Sequence, residues 1–307
     1  MATKDSPLIF IHKSNIKDSQ EYLYDVFDVA THFNPDMEIY LLGDDNNRHY
    51  ADRAGIKFEY YDDYSSGEEI EEFEDVFEVV RGPQHGSEEW IEFVFKRWFH
   101  IYNFLKEKKY SKFWTFDSDN LVISNLKEKE ERFAKYDCTE QCNGACINGF
   151  VSNLDVVRGY LNKINELFDD DFYLNKQRNE FNTLNPTYAF TEMRAYAEYK
   201  KKYSTVDGMS VYPAADFKSI LLQSIIDGET FDPCLAQNSA KKILLEDNDS
   251  GFEMEGGIKK LYFSDGKIYQ KFVDTGELVK VNSINMSWIN QTLWSKIINY
   301  VKGAAPS

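Results

Sequence analysis

Short apolar runs alternate with longer stretches of helical period through the first third of the chain. Residues 8–12, Leu-Ile-Phe-Ile-His, are too few for a helix and predict a buried strand, and residues 20–33 carry apolar side chains at helical intervals up to Asn34-Pro35. Residues 38–42, Glu-Ile-Tyr-Leu-Leu, read as a second strand closed by Gly43-Asp44-Asp45-Asn46-Asn47, which completes a βαβ start. Residues 57–61 suit a third strand. A long helix over 89–106 then feeds the run Lys112-Phe113-Trp114-Thr115-Phe116, which breaks at Asp117-Ser118-Asp119 and resumes at Leu121-Val122-Ile123.

Beyond this point the pattern is less regular. Residues 145–151 read as a strand and 154–168 as a helix, while Pro186, Pro213 and Pro233 punctuate shorter pieces. Asp265-Gly266 between alternating runs predicts a hairpin over 260–269, with another turn at Thr275-Gly276. Residues 290–301 close the pattern as a helix. Without a repeat or a low-complexity linker, the expectation is one α/β domain over 1–307, with a nucleotide-binding half (1–125) and an elaborated second half (126–307).

Hydrophobic residues make up 42% of the 307 positions, enough for a core without covalent staples. No apolar run approaches the ~20 residues that span a bilayer, and the first residues lack a signal-peptide core, so a cytoplasmic protein without a transmembrane segment is expected. The formal charge of −17 would repel a polyanion, which argues against nucleic acid as a partner. Part of that charge sits in the Glu-rich block 67–78, whose Ile70, Phe73, Val76 and Phe77 recur at helical spacing; a solvated helix face accounts for it. Cys138, Cys142 and Cys146 are spaced i, i+4, i+8, but Asn143-Gly144 would interrupt a helix through them. Reduced thiols near a pocket wall are therefore expected ahead of a zinc or iron–sulfur site.

Asp117 and Asp119 carry the sharpest chemical signal. Carboxylates enclosed by Trp114, Phe116, Leu121 and Val122 are costly to bury unless a cation meets them, and an oxygen-seeking divalent ion, Mn²⁺ or Mg²⁺, is the simplest one. Such an ion would in turn bind phosphate oxygens. A turn or a helix N-cap is the ordinary alternative for Asp-x-Asp.

A nucleotide-binding α/β half, an arginine-bearing helix, an Asp-x-Asp strand end and a mixed second half together resemble the GT-A glycosyltransferases, over most of the chain in element order. The resemblance implies a Rossmann-like half with a central mixed sheet, and a hexose moved from a UDP- or GDP-sugar donor to a saccharide or other hydroxyl acceptor. It implies that Asp119 ligates the metal directly while Asp117 shares metal and ribose duties. Ser118, His12, Lys13 and Asp44 would lie along the nucleotide sugar. Arg97, in Lys96-Arg97-Trp98, would bind phosphate or ribose oxygens, the alternative being a helix-surface arginine. Asn148-Gly149 resembles the small-residue strand that lines the sugar site, and Glu192 in Thr191-Glu192-Met193 would be the base of an inverting reaction, or else a solvated helix start.

A His-Phe-x-Gly-x-x-Lys motif closes many metal-dependent members. Here Asn290 and Lys296 stand at its six-residue separation, but the histidine and both glycines are missing. Asn290 would be the third metal ligand, with Asn285 its rival, and Lys296 would touch the diphosphate or lie on a helix surface. Those departures prompt an alternative function, a non-catalytic carbohydrate-binding or interaction protein on a degenerate transferase scaffold. A nucleotidyltransferase would need glycine in the loop after the first strand, and a haloacid-dehalogenase phosphatase would carry its Asp-x-Asp there; neither pattern is present.

Overall fold

Strand β1 (Leu8–Ile11) is buried along its whole length because both of its faces are covered: Leu8 and Phe10 enter one core and Ile9 and Ile11 the other. The computed structural model describes residues 5–14, 20–201, 217–236, 241–242, 246–247, 251–287 and 289–303; Pro213 lies outside them. Around β1, strands β2 (Ile39–Gly43), β3 (Lys57–Tyr60), β4 (Phe113–Thr115) and β5 (Asn120–Val122) follow the predicted order, with helices α1 (Tyr22–Phe33), α2 (Arg48–Ala54), α3 (Glu68–Val76) and α4 (Glu88–Lys108) between them. The second half adds α5 (Glu130–Phe133), β6 (Cys138–Gln141), β7 (Cys146–Val151), α6 (Leu154–Phe168), α7 (Asp171–Thr183), α8 (Glu192–Lys200), β8 (Ser219–Leu221) and β9 (Glu229–Asp232). Two short ladders follow, β10 (Lys241–Lys242) with β11 (Glu246–Asp247) and β12 (Met254–Glu255) with β13 (Ile258–Lys259), and then β14 (Tyr262–Ser264), β15 (Lys267–Lys271), β16 (Leu278–Asn285) and α9 (Gln291–Gly303).

The fold is mixed α/β. One seven-stranded sheet has the order β3-β2-β1-β4-β7-β6-β8, with β7 antiparallel to both neighbours and the other pairings parallel. It draws strands from both sides of residue 125. Helices α3, α4, α6 and α8 supply one core against it, and α1, α2 and α9 the other. A second sheet, β14-β15-β16-β5 with β9 beside β16, is joined to the first where β4 runs through the acid pair into β5. Its hairpin forms at Asp265-Gly266, whose φ values of 48° and 70° are the paired left-handed conformations that Asp-Gly supplies. No helix among the described residues is long and apolar enough to cross a membrane.

Strand β6 and helices α7 and α8 lie outside the predicted elements. β6 reads Cys-Thr-Glu-Gln yet is fully buried, because Glu140 accepts from Tyr196 Oη at 2.6 Å and from Lys200 Nζ at 3.2 Å. Helix α7 carries few apolar positions, chiefly Leu174 and Phe181, so its period is faint. The three clustered cysteines sit on this strand-turn-strand rather than on a helix.

Candidate functional site

From β1 the chain winds outward to β2 and β3 and then crosses back to β4 on the far side of β1. Loops leaving the carboxyl ends of β1 and β4 therefore diverge, which opens a crevice where open α/β sheets bind ligands. A cleft of about 500 Å³ occupies this point. His12 and Lys13 follow β1, Asp117, Ser118 and Asp119 follow β4, and Arg97, Trp90, Gln141 and Glu192 arrive from α4, β6 and α8. Two cationic side chains, Lys13 and Arg97, thus face three carboxylates.

Arg97 joins two of those carboxylates. Its Nη1 donates to Asp117 Oδ1 at 2.9 Å and its Nη2 to Glu192 Oε1 at 3.0 Å, while Gln141 Nε2 donates to Asp117 Oδ2 at 2.8 Å. Burial opposes the charge on Arg97, but Asp117 and Glu192 outweigh it and hold the guanidinium pKa above its ordinary value. Burial raises the pKa of Glu192 against the pull of Arg97, and Glu192 Oε2 has no hydrogen-bond partner among the described residues. Each terminal nitrogen of Arg97 thus spends one N–H on a protein carboxylate, which leaves further N–H groups of the guanidinium for another acceptor. The helix-surface alternative fails, since its side chain is only 16% exposed.

Asp119 has different company. Its Oδ1 accepts from Asn120 Nδ2 at 3.1 Å and Asn285 Nδ2 at 2.9 Å, and its Oδ2 accepts from Ser287 Oγ at 2.6 Å. These donors are neutral. Burial, and then the neighbouring Asp117, raise its pKa above the ordinary aspartate value. The contacts arise because β16 pairs with β5 in a register that sets Asn285 against Asn120.

The other predicted residues divide between the cleft and its supports. His12 Nε2 lies 2.7 Å from Gln20 Oε1, an acceptor, so Nε2 carries the proton and Nδ1 accepts from Ser118 Oγ at 2.7 Å. Burial lowers its pKa, so His12 orients Ser118 as a neutral ring. Lys13 is exposed on the cleft wall. Asp44 lies off the cleft and braces the β1 loop through Ser14 N, at 2.8 Å. Asn148 lies below the cleft, beside a small void it shares with Arg97 and Asp117.

Three expectations are corrected by position. Asn290 Oδ1 accepts from Leu293 N at 2.9 Å, so it is the N-cap of α9, and its rival Asn285 is the one that reaches Asp119. Lys296 Nζ lies 4.3 Å from the Phe263 ring centroid, against the β14–β15 hairpin. Gly149 has a φ of +93°, and a Cβ there would meet Thr139 Oγ1 at 2.5 Å and Leu222 at 2.7 Å. Glycine serves the packing of β7 rather than approach to a ligand.

Gln141, Ser287 and Tyr22, which also lines the cleft, were not anticipated. Only Tyr22 carried a signal, as an aromatic residue at the start of a helix after β1; the polar run of β6 and the Met286-Ser287 pair gave none. Comparison with protein-family models and with curated proteins finds no match for this chain.

Among the described residues no three His, Cys, Asp or Glu side chains converge to hold a metal. The donor set nevertheless fits a hard divalent ion of the Mg²⁺ type, which takes one or two carboxylates and completes its shell with water and phosphate oxygens. Asp119, whose charge is met only by neutral donors among the described residues, is the side chain that such an ion would relieve, with Asp117 and the Ser287 hydroxyl as neighbouring oxygen donors and Asn285 orienting the carboxylate through its amide N–H.

Proposed function

We propose that the protein is a metal-dependent glycosyltransferase of the GT-A type that moves a hexose from a UDP- or GDP-sugar to a saccharide or other hydroxyl acceptor. One observation carries this reading: at the crossover between β1 and β4, Asp119 has no cationic partner among the described residues while Asp117, two residues away, is locked to Arg97. A carboxylate left so in a partly buried cleft calls for a cation from outside the chain, and a nucleoside diphosphate with Mn²⁺ or Mg²⁺ supplies one with an anionic ligand attached.

In this reading Asp119 holds the cation with help from the Ser287 hydroxyl while Asn285 orients the carboxylate, and the metal, when bound, neutralises charge on the departing diphosphate. Lys13 meets phosphate oxygens from the cleft wall. Trp90, 49% exposed at the rim, offers a flat apolar face to a sugar ring. Glu192 takes the acceptor proton: Arg97 fixes its Oε1, its Oε2 has no partner among the described residues, and its raised pKa moves it toward the range of a working base. Arg97 is then a positioning residue.

Calorimetry tests the reading. UDP or GDP and Mn²⁺ should bind interdependently, each tightening the other, with the coupling lost in Asp119→Asn. Equal nucleotide affinity with Mn²⁺ and with excess EDTA overturns it. The positions of Asn290 and Lys296 away from the cleft favour a second reading, a sugar-binding protein without turnover; metal-dependent release of nucleoside diphosphate from a nucleotide sugar separates the two.

A further inference from the structure

The turn between β6 and β7 brings two cysteines to the wall of the cleft. Gln141 and Cys146 are cross-strand partners, so Cys142, one residue beyond Gln141, stands beside Cys146 across the turn. Cys142 is exposed and Cys146 buried, and both line the cleft. Cys142 has a φ of 52°, a left-handed conformation that a non-glycine residue holds only when its surroundings enforce it. The enforcement is visible at Gly144, where a Cβ would meet Lys200 Nζ at 2.8 Å and Glu140 Oε2 at 3.0 Å: the turn is pressed against the Glu140–Lys200 ion pair. The pair of sulfurs is held together by a braced turn rather than by a chance encounter of loops.

We propose that Cys142 and Cys146 form a reversible oxidation site, closed to a disulfide by a hydroperoxide and reopened by a thiol. The Cys142 thiolate attacks the peroxide O–O bond, forming an S–O bond and expelling hydroxide, or alkoxide from an organic peroxide, which takes up the proton that Cys142 has released. The Cys146 sulfur then attacks the resulting sulfenic acid, the S–S bond forms, and water leaves with the Cys146 proton. Two thiols lose two electrons and the peroxide gains them. Cys142 acts first because it is reached from solvent while Cys146 is buried, and the neighbouring Cys146 thiol holds it below the ordinary cysteine range while Cys146 is held well above it. Gln141, adjacent to Cys142, donates to Asp117, so closure of the bridge acts on the residue that borders the acid pair. The thiol chemistry is independent of what the cleft binds.

The test uses the full chain, exposed to hydrogen peroxide, quenched with a maleimide under denaturing conditions and digested with trypsin for mass spectrometry. Cleavage after Lys135 and Arg158 leaves Cys138, Cys142 and Cys146 in one peptide, so fragmentation must assign the bridge. The expected peptide carries one maleimide, on Cys138, with a mass two hydrogen atoms below that of the singly labelled dithiol, and gains labels at Cys142 and Cys146 after dithiothreitol. In Cys146→Ser, Cys142 should stop at the sulfenic acid, trapped by dimedone, and in Cys142→Ser, Cys146 should stay reduced. Continued labelling of both thiols, a bridge to Cys138 or to a second chain, or identical oxidation products in wild type and Cys146→Ser would each overturn the proposal.

Discussion

The two walls of the cleft handle their negative charge in opposite ways. On one, Arg97 bridges the half-buried Asp117 and the buried Glu192, so these charges answer one another inside the chain. On the other, Asp119 is met by two amides and a hydroxyl, groups that orient a carboxylate without cancelling it. The two acids are separated by one residue and share a loop, so the difference comes from what the rest of the fold brings to each. A charge paired within the protein is part of its scaffold, whereas a charge held in place without a cation is, in our proposal, the one that a bound metal meets.

The largest effect should come from breaking the paired wall. Arg97→Ala strands Glu192 and Asp117 without their cation, and losing one partner of a buried pair costs about 3–5 kcal/mol. Chemical denaturation should show that loss, and a stability within ~1 kcal/mol of wild type would mean that the wall is not a charge clamp.

Glu192→Gln keeps an oxygen for Arg97 but removes the base, so turnover should fall ~10²–10⁴-fold with nucleotide and metal binding retained. Unchanged kcat, or retention of anomeric configuration in the product, would confine Glu192 to the clamp.

Asp119→Asn should act with the opposite sign to Arg97→Ala and raise stability at neutral pH, by the ~0.5–2 kcal/mol that surface-charge optimisation commonly yields, while abolishing the coupling between Mn²⁺ and nucleotide. The pH dependence follows from the raised pKa. Below the ordinary value of 3.8 the folded and unfolded carboxyls are both protonated and the wild type pays no charge penalty. As pH rises through 3.8 and on to the raised folded value, the folded state binds more protons than the unfolded one and wild-type stability falls relative to the variant. Thermal melts across that range should show the gain of Asp119→Asn growing with pH; a gain independent of pH would refute the electrostatic origin.

Asn290→Ala should have the smallest effect, about 1 kcal/mol from loss of the α9 cap, with ligand binding untouched. A change in Mn²⁺ affinity would restore it as a ligand.

How much of this was legible in the sequence depends on where each element finds its partners. β1, β2 and β4 declare themselves because apolar faces on both sides leave an unbroken run, and Asp117 and Asp119 stand out against it. β6 is silent because its burial is satisfied by Tyr196 and Lys200, far along the chain, and not by apolar side chains of its own. Asn285 and Ser287 reach Asp119 only through the pairing of β16 with β5, a register that local sequence does not specify. The six-residue spacing of Asn290 and Lys296 carries no ligand chemistry for a related reason: asparagine directly before a helix is first of all a cap.

The same strand pairing bears on the order in which the molecule assembles. Asp119 and Asn285 are 166 positions apart, so the pocket around Asp119 closes the longest of the loops that define the cleft, whereas Arg97 and Asp117 meet across 20 positions. Loop-closure entropy grows with that separation, and contacts of high sequence separation form slowly. During synthesis from the N-terminus the inner strands and the Arg97–Asp117 contact have their partners early, and Asp119 waits for β16. A nascent chain stalled before residue 278 therefore contains both acids but only one finished wall.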